Sequence, residues 1–299
     1  MGLCEGRVAI VTGAGRGVGR AYALMLAAQG AKIVVNDLGT STRGEGADLA
    51  PADEVVAEIK AAGGEAIANS ADVSDWGQAE AMIQAAVSQY GGLDILINNA
   101  GILRDRMMTN LSEDDWDMVM KVHLKGTFAP SHHAANYWKL ESKAGRQRDA
   151  RLINTSSGSG LWGNVGQANY AAAKAGIAAF TIVVARELKR IGVAVNAIAP
   201  RAQSRMTEGL RDVSEEVIMR RDPEWIAALV TWLCSPAAAD VTGRVFEAWG
   251  YGFSVAQGWT HGPIMEATRD PAAVEAGMRH ILAAATLNQH YERDQWLDP

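Results

Sequence analysis

The sequence predicts an α/β fold built on a doubly wound, parallel, seven-stranded sheet, and three observations predict it. Short apolar runs recur along the chain, each ends in a turn, and each is followed by a longer segment with helical periodicity. A strand that reads as an unbroken apolar run is buried on both faces, as strands are when crossover helices cover the sheet from both sides. The runs fall at 8–11, 32–36, 65–69, 95–98, 152–155, 193–198 and 245–247. Helical patterns lie between them near 17–29, 51–62, 75–90, 113–139, 168–190 and 222–234. Two stretches break the alternation: 38–50, rich in Gly, Ser and Thr, and 141–150, rich in charge of both signs. Both read as solvated loops. One domain over 1–299 is expected, with its core at about 5–251. A C-terminal extension at 252–299 carries Gly258, Gly262, Pro263 and a helical pattern near 272–287. It is too short for a core of its own, so it should pack on the domain or on a neighbouring subunit.

Composition narrows the function classes. Lys and Arg total 28 against 34 Asp and Glu, and a net charge of −6 gives no general attraction to nucleic acid or anionic lipid. The longest nearly continuous apolar stretch, 175–185, falls short of the ~20 residues of a bilayer span. No membrane helix is expected. Met1–Arg7 lacks a basic region followed by an apolar run, so a cytoplasmic location is expected. Cys4 and Cys234 have no ligand or disulfide spacing and read as packed thiols. His132 and His133 should point to different sides of their helix, no two histidines are four apart, and no metal site is expected.

The first strand runs into Thr12, Gly13, Ala14, Gly15, Arg16, Gly17, Val18 and Gly19, and a helix follows. Glycines in this T-G-x-x-x-G-x-G spacing let the backbone turn tightly and approach a pyrophosphate, while the helix N-terminus offers unpaired N–H groups. Strand two ends in Asn36-Asp37, where a carboxylate would reach the ribose hydroxyls of a dinucleotide and repel a 2′-phosphate. Arg16 pulls the other way, towards a 2′-phosphate; Asp37 should dominate, because a long arginine can swing aside and a short aspartate cannot. NAD is therefore the expected cofactor. Strand three ends in Asp72-Val73 and strand four in Asn98-Asn99-Ala100-Gly101, small and polar residues at the strand ends where such folds bind ligands.

Strand five ends in Thr155-Ser156-Ser157, and the next helix opens with Asn169, Tyr170 and Lys174. Tyr170 and Lys174 are four apart and project from one helix face. A phenol with a pKa near ~10 is a poor base at neutral pH, and a neighbouring ammonium favours its phenolate. Tyr170 would exchange a proton with an alcohol while Ser157 holds the substrate oxygen. Alone, Tyr and Lys at this spacing are an ordinary helix pair.

The four patterns occur together and in order: T-G-x-x-x-G-x-G, N-N-A-G, a serine thirteen before tyrosine, and Y-x-x-x-K. In this the chain resembles the short-chain dehydrogenases/reductases over residues 5–250, which implies a Rossmann fold and oxidation of CH–OH groups. The resemblance implies Ser157, Tyr170 and Lys174 as catalytic residues, with Lys174 also on the nicotinamide ribose. It implies cofactor contacts from Gly13, Gly17, Val18, Gly19, Asp37, Asp72, Val73, Asn99, Ala100, Gly101 and Pro200, with Arg16 beside them. A narrower likeness lies in Val35–Gly39, Asn98–Arg106, Val122–Gly126 and Ser204–Thr207. These are similar to the (3R)-hydroxyacyl-CoA dehydrogenase portion of the peroxisomal multifunctional enzymes of type 2 and its free-standing bacterial relatives, which implies an acyl-CoA thioester substrate. Free steroids and other secondary alcohols are the alternative, and a dinucleotide sensor without turnover is the alternative of another class.

Two positions depart from the wider family. His123 stands where most members carry an asparagine that holds a relay water, and it is kept as a fourth catalytic candidate. Arg201 stands where a glycine is usual. Residues 201–221 carry Arg201, Arg205, Arg211, Arg220 and Arg221 with Met206, Leu210 and Met219, and are expected to form a lid over the acyl-CoA. The apolar helices bearing His123 and Tyr170 are expected to join a homodimer or homotetramer.

Overall fold

The computed structural model describes residues 2–46, 50–202, 219–259, 261–267 and 271–285. Its strands are β1 Val8–Thr12, β2 Lys32–Asn36, β3 Ala66–Asn69, β4 Ile95–Asn98, β5 Ala150–Thr155, β6 Val193–Pro200, β7 Val245–Trp249 and β8 Gly252–Val255. They form one sheet in the order β3-β2-β1-β4-β5-β6-β7-β8. Every pairing is parallel except β7 with β8. The eighth strand corrects the expectation of seven. Gly252–Val255 alternates half-buried with exposed residues on an edge, so it lacks the apolar run that marks the other strands.

Period-two alternation divides each central strand between two cores. Ala9 and Val11 pack under α1 Gly17–Ala28, α2 Ala50–Ala61 and α8 Glu224–Leu233, beside Tyr22, Val55 and Ile226. Val8 and Ile10 pack on the other face beside Met82, Trp138 and Leu152, beneath α3 Trp76–Tyr90, α5 Gly126–Lys143 and α7 Ala168–Leu188. Asp75 caps α3 by accepting from Gln78 N, and Gly91 ends it in the left-handed region at φ 78°.

The helix expected over 113–139 is a composite. α4 Glu113–Val119 is capped by Ser112 and carries three acids in its first turn. It passes into a π-helical turn, Met120–Lys125, and then into α5, which runs on to Lys143 inside the expected 141–150 loop. A short helix, α6 Gly158–Trp162, follows β5, and α9 Pro271–Ala284 occupies the extension.

The helix Ala168–Ile191 is long and apolar enough to cross a membrane, contrary to the expectation from 175–185. It packs against β5 and β6, and it buries Asn169, Lys174 and Thr181, the setting of a core helix. Cys4 and Cys234 are buried thiols.

Candidate active site

The strand order reverses direction between β1 and β4, and a cavity of about 570 Å³ opens beyond their C-terminal ends. Every residue singled out as catalytic or cofactor-contacting lines it.

At one end lies the glycine turn. Gly13 and Gly17 hold φ of 62° and 55°, where a side chain is strained. A Cβ on Gly19 would stand 2.2 Å from Gly13 O, so the helix could not approach the turn with any larger residue. Arg16 occupies the N-cap of α1 without a side-chain cap, and the first turn holds no acid. The leading N–H groups of α1 therefore face the cavity with no side chain of their own helix competing for them, which fits a pyrophosphate. Arg16 itself is exposed on the rim.

Asn99 braces this turn. Its Nδ2 donates to Thr12 O (3.0 Å) and Gly13 O (3.1 Å). Thr12 Oγ1 accepts from the backbone of Asn99 and Ala100 in return. Asp37 accepts from Gly15 N through Oδ2 (2.8 Å) and from Gly39 N through Oδ1 (2.7 Å), so the carboxylate is both a turn cap and part of the cavity wall. Asp72 accepts from Ser74 N and Oγ.

Residues 38–46 are more than a solvated loop. Leu103 N donates to Thr42 O (2.8 Å), Arg104 Nε donates to Arg43 O (3.1 Å), and Thr40, Ser41, Thr42 and Gly44 line the cavity. Their small polar composition is what a cavity wall and a solvated loop have in common, so sequence could not separate the two.

At the other end, Tyr170, Lys174, Ser157 and His123 converge. Lys174 is buried and donates from Nζ to Thr155 O (2.6 Å), with Nζ 5.6 Å from the Tyr170 ring centroid. Burial pulls its ammonium down to about 7. Ser157 Oγ accepts from Ser159 N (3.2 Å), which leaves the hydroxyl proton to donate elsewhere. His123 is buried with its ring edge-on to Tyr170, centroids 5.1 Å apart. Its Nε2 lies 2.7 Å from Ile102 O and 3.1 Å from Ile102 N, so the ring is held to that backbone in either neutral tautomer. Burial, then the Lys174 charge, push the imidazole down to about 3, so it stays neutral. A Cβ on Gly101 would lie 2.4 Å from His123 Cε1, so the glycine of N-N-A-G makes room for this ring.

Sequence reasoning did not assign roles to Asn169, Gln167 or Asp105. Asn169 is fully buried, donates to Arg104 O and Asp115 O (3.1 Å each) and accepts from Tyr170 N (2.8 Å), which ties the start of α7 to the loop after β4. Such a bridge has no spacing signature, because its partners are distant backbone groups. Arg201 lies 3.5 Å from Glu247 Oε1 and 5.7 Å from the Trp249 ring centroid, and Arg220 donates to Gly250 O. Both line the cavity with Arg221. Arg205, Met206, Leu210 and Arg211 of the expected lid, and the Ser204–Thr207 pattern, lie outside the described residues. His132 and His133 do not part to different sides as expected: one ring lies tilted and the other edge-on to Trp76, at 4.7 and 4.5 Å, with their own centroids 5.3 Å apart.

Residues 7–216 match the short chain dehydrogenase family. The chain belongs to that family. Among its relatives, hydroxyacyl-CoA dehydrogenase ChsB1 of Mycobacterium tuberculosis is 47% identical over 252 residues, covering 82% of this chain and 78% of that protein. The peroxisomal hydratase-dehydrogenase-epimerase of Neurospora crassa is 45% identical over 246 residues, and the match spans 26% of its length. A crystal structure of a short chain dehydrogenase from Mycobacterium avium superposes with a TM-score of 0.88 at 50% identity, covering 97% of this chain and 100% of that one. Members of this short-chain dehydrogenase family work with a nicotinamide dinucleotide, and the turn, the α1 N-terminus and the strand-end acids of this chain fit one.

Proposed function

We propose that this chain interconverts a (3R)-3-hydroxyacyl-CoA and the 3-oxoacyl-CoA, with NAD as cofactor. The observation that carries the reading is the meeting of Tyr170, buried Lys174 and Ser157 on one cavity wall, joined by a relative named as a hydroxyacyl-CoA dehydrogenase. Bound NAD supplies the hydride acceptor. Tyr170 takes the hydroxyl proton in oxidation and returns it in reduction, while the Lys174 ammonium favours the phenolate and Ser157 donates to the substrate oxygen. His123 is too weak a base to carry that proton, and it acts by holding Tyr170 and the Gly101–Ile102 backbone in place. Asp37 favours NAD by accepting from ribose hydroxyls and repelling a 2′-phosphate. Arg201, Arg220 and Arg221 give the substrate end a positive wall suited to the phosphates of CoA. The intact proton-transfer group supports an enzyme over a dinucleotide sensor.

The test is an NADH absorbance screen of 3-hydroxyacyl-CoA thioesters against matching free alcohols, steroids included. Turnover of the R thioesters at a kcat/KM well above that of any free alcohol is expected. Preference for a free alcohol would replace the substrate, and no turnover of either would favour the sensor.

A further inference from the structure

Three acids line the cavity: Asp37, Asp72 and Asp105. Asp37 accepts from Gly15 and Gly39 at the glycine turn, and Asp72 accepts twice from Ser74 through Oδ1 alone. Asp105 is engaged through Oδ2, by Gln167 Nε2 at 2.7 Å, and its Oδ1 has no hydrogen-bond partner among the described residues.

Gln167 is itself fixed. Its Oε1 accepts from Ser159 Oγ (2.7 Å) and Asn164 Nδ2 (2.8 Å), and the adjoining backbone is joined by Arg106 N to Gly166 O (2.9 Å). Leu103 and Asp105 line the cavity, whereas Arg104 turns away to Asp114. The carboxylate is therefore fixed at the open wall of the cavity, where Asp105 is still exposed, by a side chain that two further hydrogen bonds immobilise, so little ordering remains to be done when a ligand arrives. Burial pushes the Asp105 carboxyl up, with the Gln167 N–H pulling against it, as befits a group held partly away from water. The same hydrogen-bonded chain continues from Gln167 through Ser159, whose N–H donates to Ser157 Oγ. Asp105 is thus two residues removed from the hydroxyl that holds the reacting oxygen.

We propose that Asp105 is a specificity-determining residue that accepts a hydrogen bond from the first amide N–H of the pantetheine arm of a hydroxyacyl thioester. The inference rests on the acyl-CoA reading above. In such a substrate, apart from the reacting hydroxyl that faces Tyr170 and Ser157, the acyl chain, the thioester carbonyl and the sulfur offer only apolar groups and acceptors. The first N–H donor comes two carbons beyond the sulfur, and it is the group an acceptor near Ser157 would meet. A free hydroxy acid would instead bring a carboxylate towards a wall that already carries one, and like charges disfavour it.

The experiment compares two oxidations by the full chain with NAD. One substrate is the N-acetylcysteamine thioester of (3R)-hydroxybutyrate, and the other is its S-(4-oxopentyl) analogue, in which a methylene replaces that N–H. The wild type is expected to favour the amide by about tenfold or more in kcat/KM. In Asp105→Ala the ratio should fall to within about twofold of unity, because the acceptor is gone. Asp105→Asn keeps an acceptor oxygen without the charge and should fall between them. The ratio is internal to each protein, so partial misfolding of a variant cancels. A wild-type ratio near one, or an unchanged ratio in Asp105→Ala, overturns the assignment and leaves the acyl-CoA reading standing. Oxidation of free alcohols but of no thioester by the wild type overturns both.

Discussion

Tyr170 and Asp37 show how much one oxygen can decide. Tyr170→Phe removes the atom to which we assign the proton transfer while leaving the ring, its edge contact with His123 and the glycine turn in place. Turnover should fall by roughly 10²–10⁴-fold. NAD binding, followed by titration of NADH fluorescence, should change little; more than about a tenth of wild-type kcat would reject the role. Asp37→Ala is a different kind of change, since the carboxylate caps the turn through Gly15 and Gly39 as well as lining the cavity. Loosening the turn would weaken NAD and NADP alike, whereas lost recognition would change their ratio. The wild type should prefer NAD by at least about tenfold in kcat/KM, and the variant should lose most of that preference as Arg16 begins to help NADP. An unchanged ratio would show that this carboxylate does not set the choice. Ser157, Tyr170 and Lys174 were legible in sequence because their chemistry is intrinsic to the side chains and their spacing is local. Asn169 and Asp105 were not, because their partners lie tens of residues away.

The π-helical turn Met120–Lys125 shows what an element can do that a residue list cannot. A periodic pattern over 113–139 reads as one helix, yet a wider turn interrupts it and carries the buried His123. The ring then fits the space left by Gly101 and reaches Ile102. A neutral buried imidazole makes the native state sensitive to acid. Its folded value lies near 3 against 6.5 for the unfolded chain, so between those limits the unfolded state binds more protons. The stability from keeping His123 neutral is fully present above pH 6.5 and is lost as the pH falls towards 3, by about 1.4 kcal/mol per unit. His123→Asn should therefore flatten the decline of Tm between pH 6.5 and 4 in scanning calorimetry. Parallel Tm curves for the two proteins would mean that this histidine contributes nothing to acid lability. The loop at 38–46 carries the same lesson in reverse, because its composition says turn and polar while only its contacts with Leu103 and Arg104 say wall.

At the scale of the whole molecule, α5 and α7 leave an outward face that includes Phe128, Leu140, Ile182 and Val183, with Phe128 43% and Val183 52% exposed. Phe128 packs edge-on to Phe180 and against the Trp76 cluster, which extends the apolar area across three helices. A patch of this kind is expected to be covered by a second copy. Light scattering should report a dimer or tetramer for the wild type and monomers for a Phe128→Glu, Val183→Glu double variant. A monomeric wild type at micromolar concentration would dismiss the interface. The sequence by itself determined the alternation of strand and helix, the glycine turn and the spacing of Tyr170 and Lys174. Each of these rests on forces that act within a few residues: backbone sterics, helical period and the burial demand of a two-faced strand. Only the tertiary structure decided that β8 closes the sheet antiparallel, that Gly101 and His123 share one space, and that Gln167 fixes Asp105 at the cavity wall. Those outcomes depend on which distant segments meet, and a one-dimensional pattern carries no record of contact geometry between segments separated by a whole strand or helix.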